Sequence, residues 1–295
     1  MRMMIAAMLV LSSMAQRGGA LVPDPPVVCD PCEGWNRERE PFRVFGDTYY
    51  VGTAGLSSVL IASEQGLILL DGALPQSAAQ IDRNIRKLGF RTENIRLIVN
   101  SHAHFDHAGG IAALQRFSGA EVVATASGAE ALRQGQATKD DPQYGFVDTD
   151  AFTQVPKVRV IKDGEKLRVG PLQITARFTP GHTPGGTTWM WRSCERGRCV
   201  DVVYADSLTA VSAPGFRFTG DATHPSIVDR FSQSIKTIDQ LPCDILIPVH
   251  PGFSNLFANA DKANPDAFIE PRPCRVYATM ARRTLDQRIA QEKQP

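Results

Sequence analysis

Between positions 102 and 107 the chain reads His102-Ala103-His104-Phe105-Asp106-His107, three imidazoles and a carboxylate directly after the apolar run 95–99. Imidazole nitrogen and carboxylate oxygen without thiolate suit zinc, in the donor pattern of a catalytic rather than a closed structural site. In a strand or extended turn the side chains at i and i+2 point the same way. His102 and His104 are therefore expected to grip one ion while Asp106 and His107 turn toward a neighbouring one. A lone histidine is ordinarily a surface or satisfied core residue, but two more end β-type runs in Gly/Pro-bounded turns. His182 stands in Pro180-Gly181-His182-Thr183-Pro184-Gly185-Gly186, and His250 closes the run 243–250. Three protein ligands per ion leave a position open for water, which is the requirement of hydrolytic chemistry. The sixth histidine, His224, has no such setting and reads as a loop residue.

The elements that must position these groups alternate in kind. After the Pro-rich lead 22–26, β-type runs appear at 42–51, 58–62 and 67–70, the last two joined through Glu64-Gln65-Gly66 as a hairpin. Ala78, Ile81, Ile85 and Leu88 recur at helical spacing over 77–88, and the next strand leads into the histidine cluster. A helix starting at 109–111, a strand at 121–124 and a helix around 130–134 follow. The Gly- and Pro-containing stretch 135–157 is a long loop of the kind that carries function. Strands return at 158–161, 167–169, 172–178, 187–191 and 201–204, then a helix over 226–241, a strand ending at His250 and a terminal helix over 275–292. This order predicts an α/β (α+β) fold of two facing sheets with helices outside, and no linker divides residues 21–295 into separate domains.

The 295 residues are 43% apolar and 21% charged, with a net charge of +1 and no basic runs, which points away from nucleic acid or an anionic membrane surface and toward a small-molecule or uncharged partner. No periodic signature of self-association is present, so a monomer is expected. Residues 1–20 have the short positive start, apolar middle and small-residue end of a secretory signal, with cleavage after Ala15 or Ala20. No other segment reaches the roughly 18 apolar residues of a membrane span. Six cysteines fit the oxidising periplasmic or secreted setting this implies. Cys194 and Cys199 flank a hairpin tip, Cys243 and Cys274 could pair, and Cys29-x-x-Cys32 reads as a local structural bridge rather than a redox motif or half a zinc knuckle; the pairing itself stays open at this stage.

His-x-His-x-Asp-His, met by His102, His104, Asp106 and His107, resembles the signature of the metallo-β-lactamase superfamily, and the likeness extends over nearly all of the mature chain. It implies an αββα sandwich with two metals at one edge between mixed sheets. Within the superfamily the chain is similar to subclass B3 β-lactamases in Leu70-Asp71-Gly72, in the turn 180–187, in Tyr204-Ala205-Asp206-Ser207-Leu208-Thr209 and in Pro248-Val249-His250-Pro251. The resemblance implies two zinc ions, one held by His102, His104 and His182 and the other by Asp106, His107 and His250. Ser207 stands where other zinc β-lactamases place a cysteine, and Asp71 would orient a histidine or the turn by hydrogen bonds. The implied activity is secreted β-lactam hydrolysis, of penicillins, cephalosporins and carbapenems, by a hydroxide shared between the ions and oriented by Asp106. Ser207 and Thr209 are candidate anchors for the substrate carboxylate, with Gln143 and Trp35 facing the substrate. Two alternatives stand beside this: a lactonase or glyoxalase II-like thioesterase, in which an aspartate placed like Asp206 bridges the metals, and a non-catalytic zinc-binding relative.

Overall fold

Strand-forming runs become two sheets because each has an apolar face to bury. The computed structural model describes residues 19–146, 151–262, 264 and 266–294, so the signal-like residues 1–18 and part of the 135–157 loop lie outside the described residues. The first sheet runs β1 (Phe42–Phe45), β2 (Thr48–Tyr50), β3 (Val59–Ser63), β4 (Gly66–Leu70), β5 (Ile95–Val99), β6 (Glu121–Ala124) and β7 (Val158–Val160), in that spatial order. Its pairs are antiparallel up to β4 and parallel from there on, with Leu70 opposite Val99. The run expected at 42–51 is in fact a tight hairpin, since Gly46 takes the left-handed conformation (φ +52°) and reverses the chain.

The second sheet comprises β8 (Lys166–Val169), β9 (Leu172–Phe178), β10 (Thr187–Glu195), β11 (Arg198–Ala205) and β12 (Ile245–Pro248), in the spatial order β12-β11-β10-β9-β8. β10 and β11 extend beyond the expected 187–191 and 201–204 because their hairpin continues to the Cys194–Cys199 bridge. β12 alone is parallel to its neighbour, which is what delivers His250 to the same edge as the end of β11.

Every residue of β4 is buried, as a strand covered on both faces requires. Leu67 and Leu69 pack under the helices α2 (Ala78–Lys87), α4 (Ile111–Ser118) and α5 (Ala126–Gln134) through Ile81, Ile85, Leu114 and Leu132, whereas Ile68 and Leu70 face Ile174, Trp189 and Val202 of the second sheet. On the far side, Phe231, Ile235 and Ile238 of α6 (Val228–Gln240) and Tyr277, Ala278 and Leu285 of α8 (Pro273–Glu292) cover Val203 and Leu246. Three apolar layers separate four layers of structure, an αββα sandwich. The helix expected around 130–134 starts earlier because the Thr125 hydroxyl accepts from the Gly128 amide at 3.0 Å and caps it. Short helices α1 (Cys32–Trp35), α3 (Phe105–Ala108) and α7 (Leu256–Ala260) are too brief to show a period.

All six cysteines pair, as Cys29–Cys32, Cys194–Cys199 and Cys243–Cys274. Among the described residues no helix is long and apolar enough to cross a membrane.

Candidate metal centre

β5 ends at Val99, and the chain leaves the sheet extended through His104 (φ −85°, ψ 154°) before α3 coils Asp106 and His107 into one helical turn. The cluster is thus half extended and half helical, not extended throughout. The change of period splits its donors into two groups. Turn 180–186 brings His182 from between β9 and β10, and β12 brings His250; the Thr187 amide donates to the Ser101 carbonyl at 2.8 Å and the Ser57 amide to the Val249 carbonyl at 2.8 Å, stitching the two sheets at this edge.

Five imidazoles converge there. Ring centroids lie 4.8 Å apart for His102–His104, 4.9 Å for His102–His182 and 5.1 Å for His104–His182, and one ligand atom from each of these three residues lies within 4.8 Å of the others. Beside them Asp106 Oδ2 is 3.2 Å from His107 Nε2 and 3.4 Å from His250 Nε2, while those two nitrogens are 3.2 Å from each other. A tetrahedral ion about 2.1 Å from each donor spaces them roughly 3.4 Å apart, the dimension of the Asp106/His107/His250 set. His102, with Asp106 and His107, forms a further close triplet that joins the two sets.

For His102, His104, His182 and His250 one ring nitrogen is already engaged, which decides which nitrogen faces an ion. His102 Nδ1 donates to Asp206 Oδ1 at 2.7 Å; its Nε2 is buried with no hydrogen-bond partner, and a buried orphan of this kind calls for a ligand. His182 Nδ1 faces the Thr209 carbonyl at 2.9 Å and its hydroxyl at 3.0 Å, leaving Nε2 toward the centre. His250 Nδ1 faces the Gly55 carbonyl at 3.3 Å, and His104 Nε2 faces both oxygens of Asp141 at 3.2 Å. Asp71 lies 3.8 Å from His107 Nδ1, and its carboxylate accepts from the Asn100 amide, the Ser101 amide and hydroxyl, and the Tyr204 hydroxyl at 2.6–2.9 Å. It holds the end of β5 from beneath.

The electrostatics favour ligand forms. Burial, then the neighbouring imidazoles, holds His102 well below the ordinary histidine value, and lowers His182 to about 3 and His250 to about 4. Burial alone would raise Asp106, but His107, His250 and His104 outweigh it and hold the carboxyl well below its usual range. Neutral imidazoles and an ionised carboxylate are the protonation states a cation binds. His102, His104 and His182 can hold a metal ion, and the donor set fits zinc.

A cavity of about 880 Å³ opens over these groups, walled by Val28, Trp35, Val211 and Phe253, with Gln143 and Thr209 also on its lining. Trp35 packs on His250, their rings 5.4 Å apart. Ser207 is only 1% exposed and lies off the wall, so its hydroxyl has no open path to a substrate in this conformation. Asp206 sits behind His102, where its Oδ1 holds the ring nitrogen opposite Nε2. Burial, with the charge of Asp71, pushes its carboxyl well above the usual range.

The model of the metallo-beta-lactamase superfamily matches residues 52–250, a span that begins just after β2 and ends on His250. The chain belongs to the metallo-beta-lactamase superfamily. Among solved structures in this superfamily it is similar to the Rm3 metallo-beta-lactamase, at 48% identity and a TM-score of 0.87, covering 90% of this chain and 100% of that one. It is likewise similar to MEM-A1, a subclass B3 metallo-beta-lactamase isolated from a soil metagenome library, at 49% identity and a TM-score of 0.84, covering 88% and 98%. An N-acyl homoserine lactonase of Bacillus cereus is 25% identical over 154 residues, 43% of this chain and 54% of the lactonase. The chain spans between about half and three-fifths of the length of such curated relatives. Within the superfamily the chain is most like the subclass B3 enzymes, and these relatives support a hydrolase.

Sequence reasoning gave Asp141 no role and, for Asp206, offered only metal bridging under the lactonase alternative, not contact with the back of His102. Both meet a histidine across more than 35 residues of chain, and no local pattern marks such a partner.

Proposed function

We propose that this protein is an exported zinc β-lactamase that opens the cyclic amide of β-lactam antibiotics and so confers resistance to them. The observation that carries this reading is the pair of three-donor sets, His102/His104/His182 and Asp106/His107/His250, at the floor of a largely apolar cavity in a chain that aligns with β-lactamases over nearly its whole length. Two zinc ions bound there supply a water that ionises near neutral pH and a Lewis acid for the carbonyl oxygen. Asp106, held ionised by its histidine neighbours, accepts a hydrogen bond from the attacking water and aims its lone pair. The Gln143 amide and Thr209 hydroxyl line the cavity and bind the substrate carboxylate by neutral hydrogen bonds, for no Lys or Arg lines that cavity among the described residues. Trp35, Val28 and Val211 exclude water and take the apolar substituents. Ser207 acts by not being a thiolate, which leaves the second ion to His107.

A lactonase is the second reading, favoured by the lactonase match and by a cavity wall with no Lys or Arg among the described residues, which suits a neutral ester as well as an anion. Steady-state turnover of a chromogenic cephalosporin against lactone and thioester substrates separates the two. The expected result is cephalosporin hydrolysis that a chelator abolishes and zinc restores. Turnover of the lactone alone would replace this reading with the second, and zinc binding without turnover of any substrate would leave a non-catalytic relative.

A further inference from the structure

One buried carboxylate outside both donor sets touches the centre and the cavity wall at once. Asp141 is 5% exposed, although it lies in the crossing that follows α5. Both its oxygens stand 3.2 Å from His104 Nε2, and Oδ1 also accepts from the Gln143 amide at 2.8 Å. Its own carbonyl accepts from the Tyr144 amide at 3.0 Å, and its amide donates to the Thr138 carbonyl at 2.9 Å. The tight turn so formed puts Gln143 Nε2 3.2 Å from His182 Nε2, on the cavity wall. One residue on, the Pro142 carbonyl accepts from the Ala213 amide at 2.8 Å, tying the crossing to the segment that follows Thr209. No other acidic side chain gives one carboxylate both to a candidate ligand and to a backbone amide of the wall among the described residues.

We propose that Asp141 couples zinc occupancy to the placement of the 138–146 wall, as a positioning residue acting through His104. The inference rests on His104 being a zinc ligand, as in the reading above. The carboxylate fixes the proton on Nε2 and turns Nδ1 toward the ion, so binding of the ion orders the imidazole, the imidazole orders Asp141, and Asp141 orders the turn that presents Gln143. By reciprocity, a wall held in place raises zinc affinity by the same factor.

The test compares wild type, Asp141→Asn and Asp141→Ala by zinc titration against a competing chelator and by amide hydrogen exchange of the zinc-free and zinc-loaded proteins. In wild type, zinc is expected to slow exchange at the amides of Gln143 and Tyr144 as well as in the 102–107 turn. Asp141→Ala is expected to lose zinc affinity by about 10- to 100-fold and to lose the protection at 143–144 while keeping that at 102–107 once saturated. Asp141→Asn keeps an oxygen for His104 Nε2 and for the Gln143 amide, so its affinity loss is smaller; it carries the test should the alanine variant fail to fold. A purely structural role would change the two amides equally with and without zinc. Zinc affinity within twofold of wild type in both variants, or zinc-induced protection at 143–144 that survives Asp141→Ala, overturns the proposal. A wild type that binds no zinc at all removes the reading beneath it, which is a separate outcome visible in the first titration.

Discussion

At the residue scale the centre is a set of oriented nitrogens, and the groups behind the rings matter as much as the rings. Asp106 is the one carboxylate in the proposed ligand set. Asp106→Ala is expected to lower zinc content from about two per chain to about one, measured by elemental analysis, and to cut the rate by at least about 100-fold. Asp206 distinguishes ligand from orienter. Its Oδ1 fixes the proton on His102 Nδ1, so Asp206→Ala is expected to weaken zinc binding by about 10- to 100-fold, while Asp206→Asn, which still offers an oxygen, loses much less. A metal-bridging aspartate would predict comparable loss in both, so chelator competition on the pair of variants decides between the roles. The ligand types were legible in the sequence because metal chemistry restricts donors to a few side chains. Asp141 was not legible, since a carboxylate 37 residues from its imidazole leaves no spacing to read.

At the element scale the centre depends on how β4, β5 and α3 close on one another. The Gly72 amide donates to the His107 carbonyl at 2.8 Å, and the Gly110 amide donates to the Ala73 carbonyl at 3.2 Å. This approach leaves no room for a side chain at 110: a Cβ there would stand 2.2 Å from the Gly72 carbonyl oxygen, a backbone atom that cannot swing aside. Gly110→Ala is therefore expected to cost about 1–3 kcal/mol in urea unfolding and to lower zinc affinity with it, because the displaced strand end carries Asp71 and the turn carries His107. Sequence periodicity placed β9 and α2 well, since each shows a clear repeat of two or of three to four residues. It could not find α3, a single turn of four residues, too short to repeat an apolar face.

At the scale of the whole molecule, α6 and α8 brace the outer face of the second sheet, and two devices hold α8. The Cys243–Cys274 bridge closes a separation of 31 residues, which restrains the unfolded chain by about 3–4 kcal/mol on chain-entropy grounds. Replacing both cysteines by serine is expected to lower stability by an amount of that order in urea unfolding, with the zinc content unchanged. At the other end Glu292 accepts from Arg288, from the Phe218 and Thr219 amides and from the Thr219 hydroxyl at 2.7–2.9 Å. Burial opposes its charge, but these donors outweigh burial and hold its carboxyl below the ordinary value. A depressed folded value means that the stabilisation is present above the ordinary carboxylate range and fades as pH falls through the folded value. Glu292→Gln should accordingly be less stable than wild type at neutral pH, and the two melting curves should converge as the solution is acidified. Curves that stay apart at low pH would show that the charge of Glu292 is not what holds this end of α8.

The amino-acid sequence by itself determined the donor types, the alternation of strands and helices and the layered class of the fold, because each of these is written in local chemistry or a short period. Which nitrogens of His102, His104, His182 and His250 are engaged from behind, that Asp206 stands behind the His102 ring, that Ser207 is enclosed and that Asp141 reaches His104 were decided only by the tertiary structure. Such partners are chosen by the packing of two sheets across a common edge, where groups distant in the chain become neighbours whose burial leaves each polar atom to be satisfied by whatever lies opposite it.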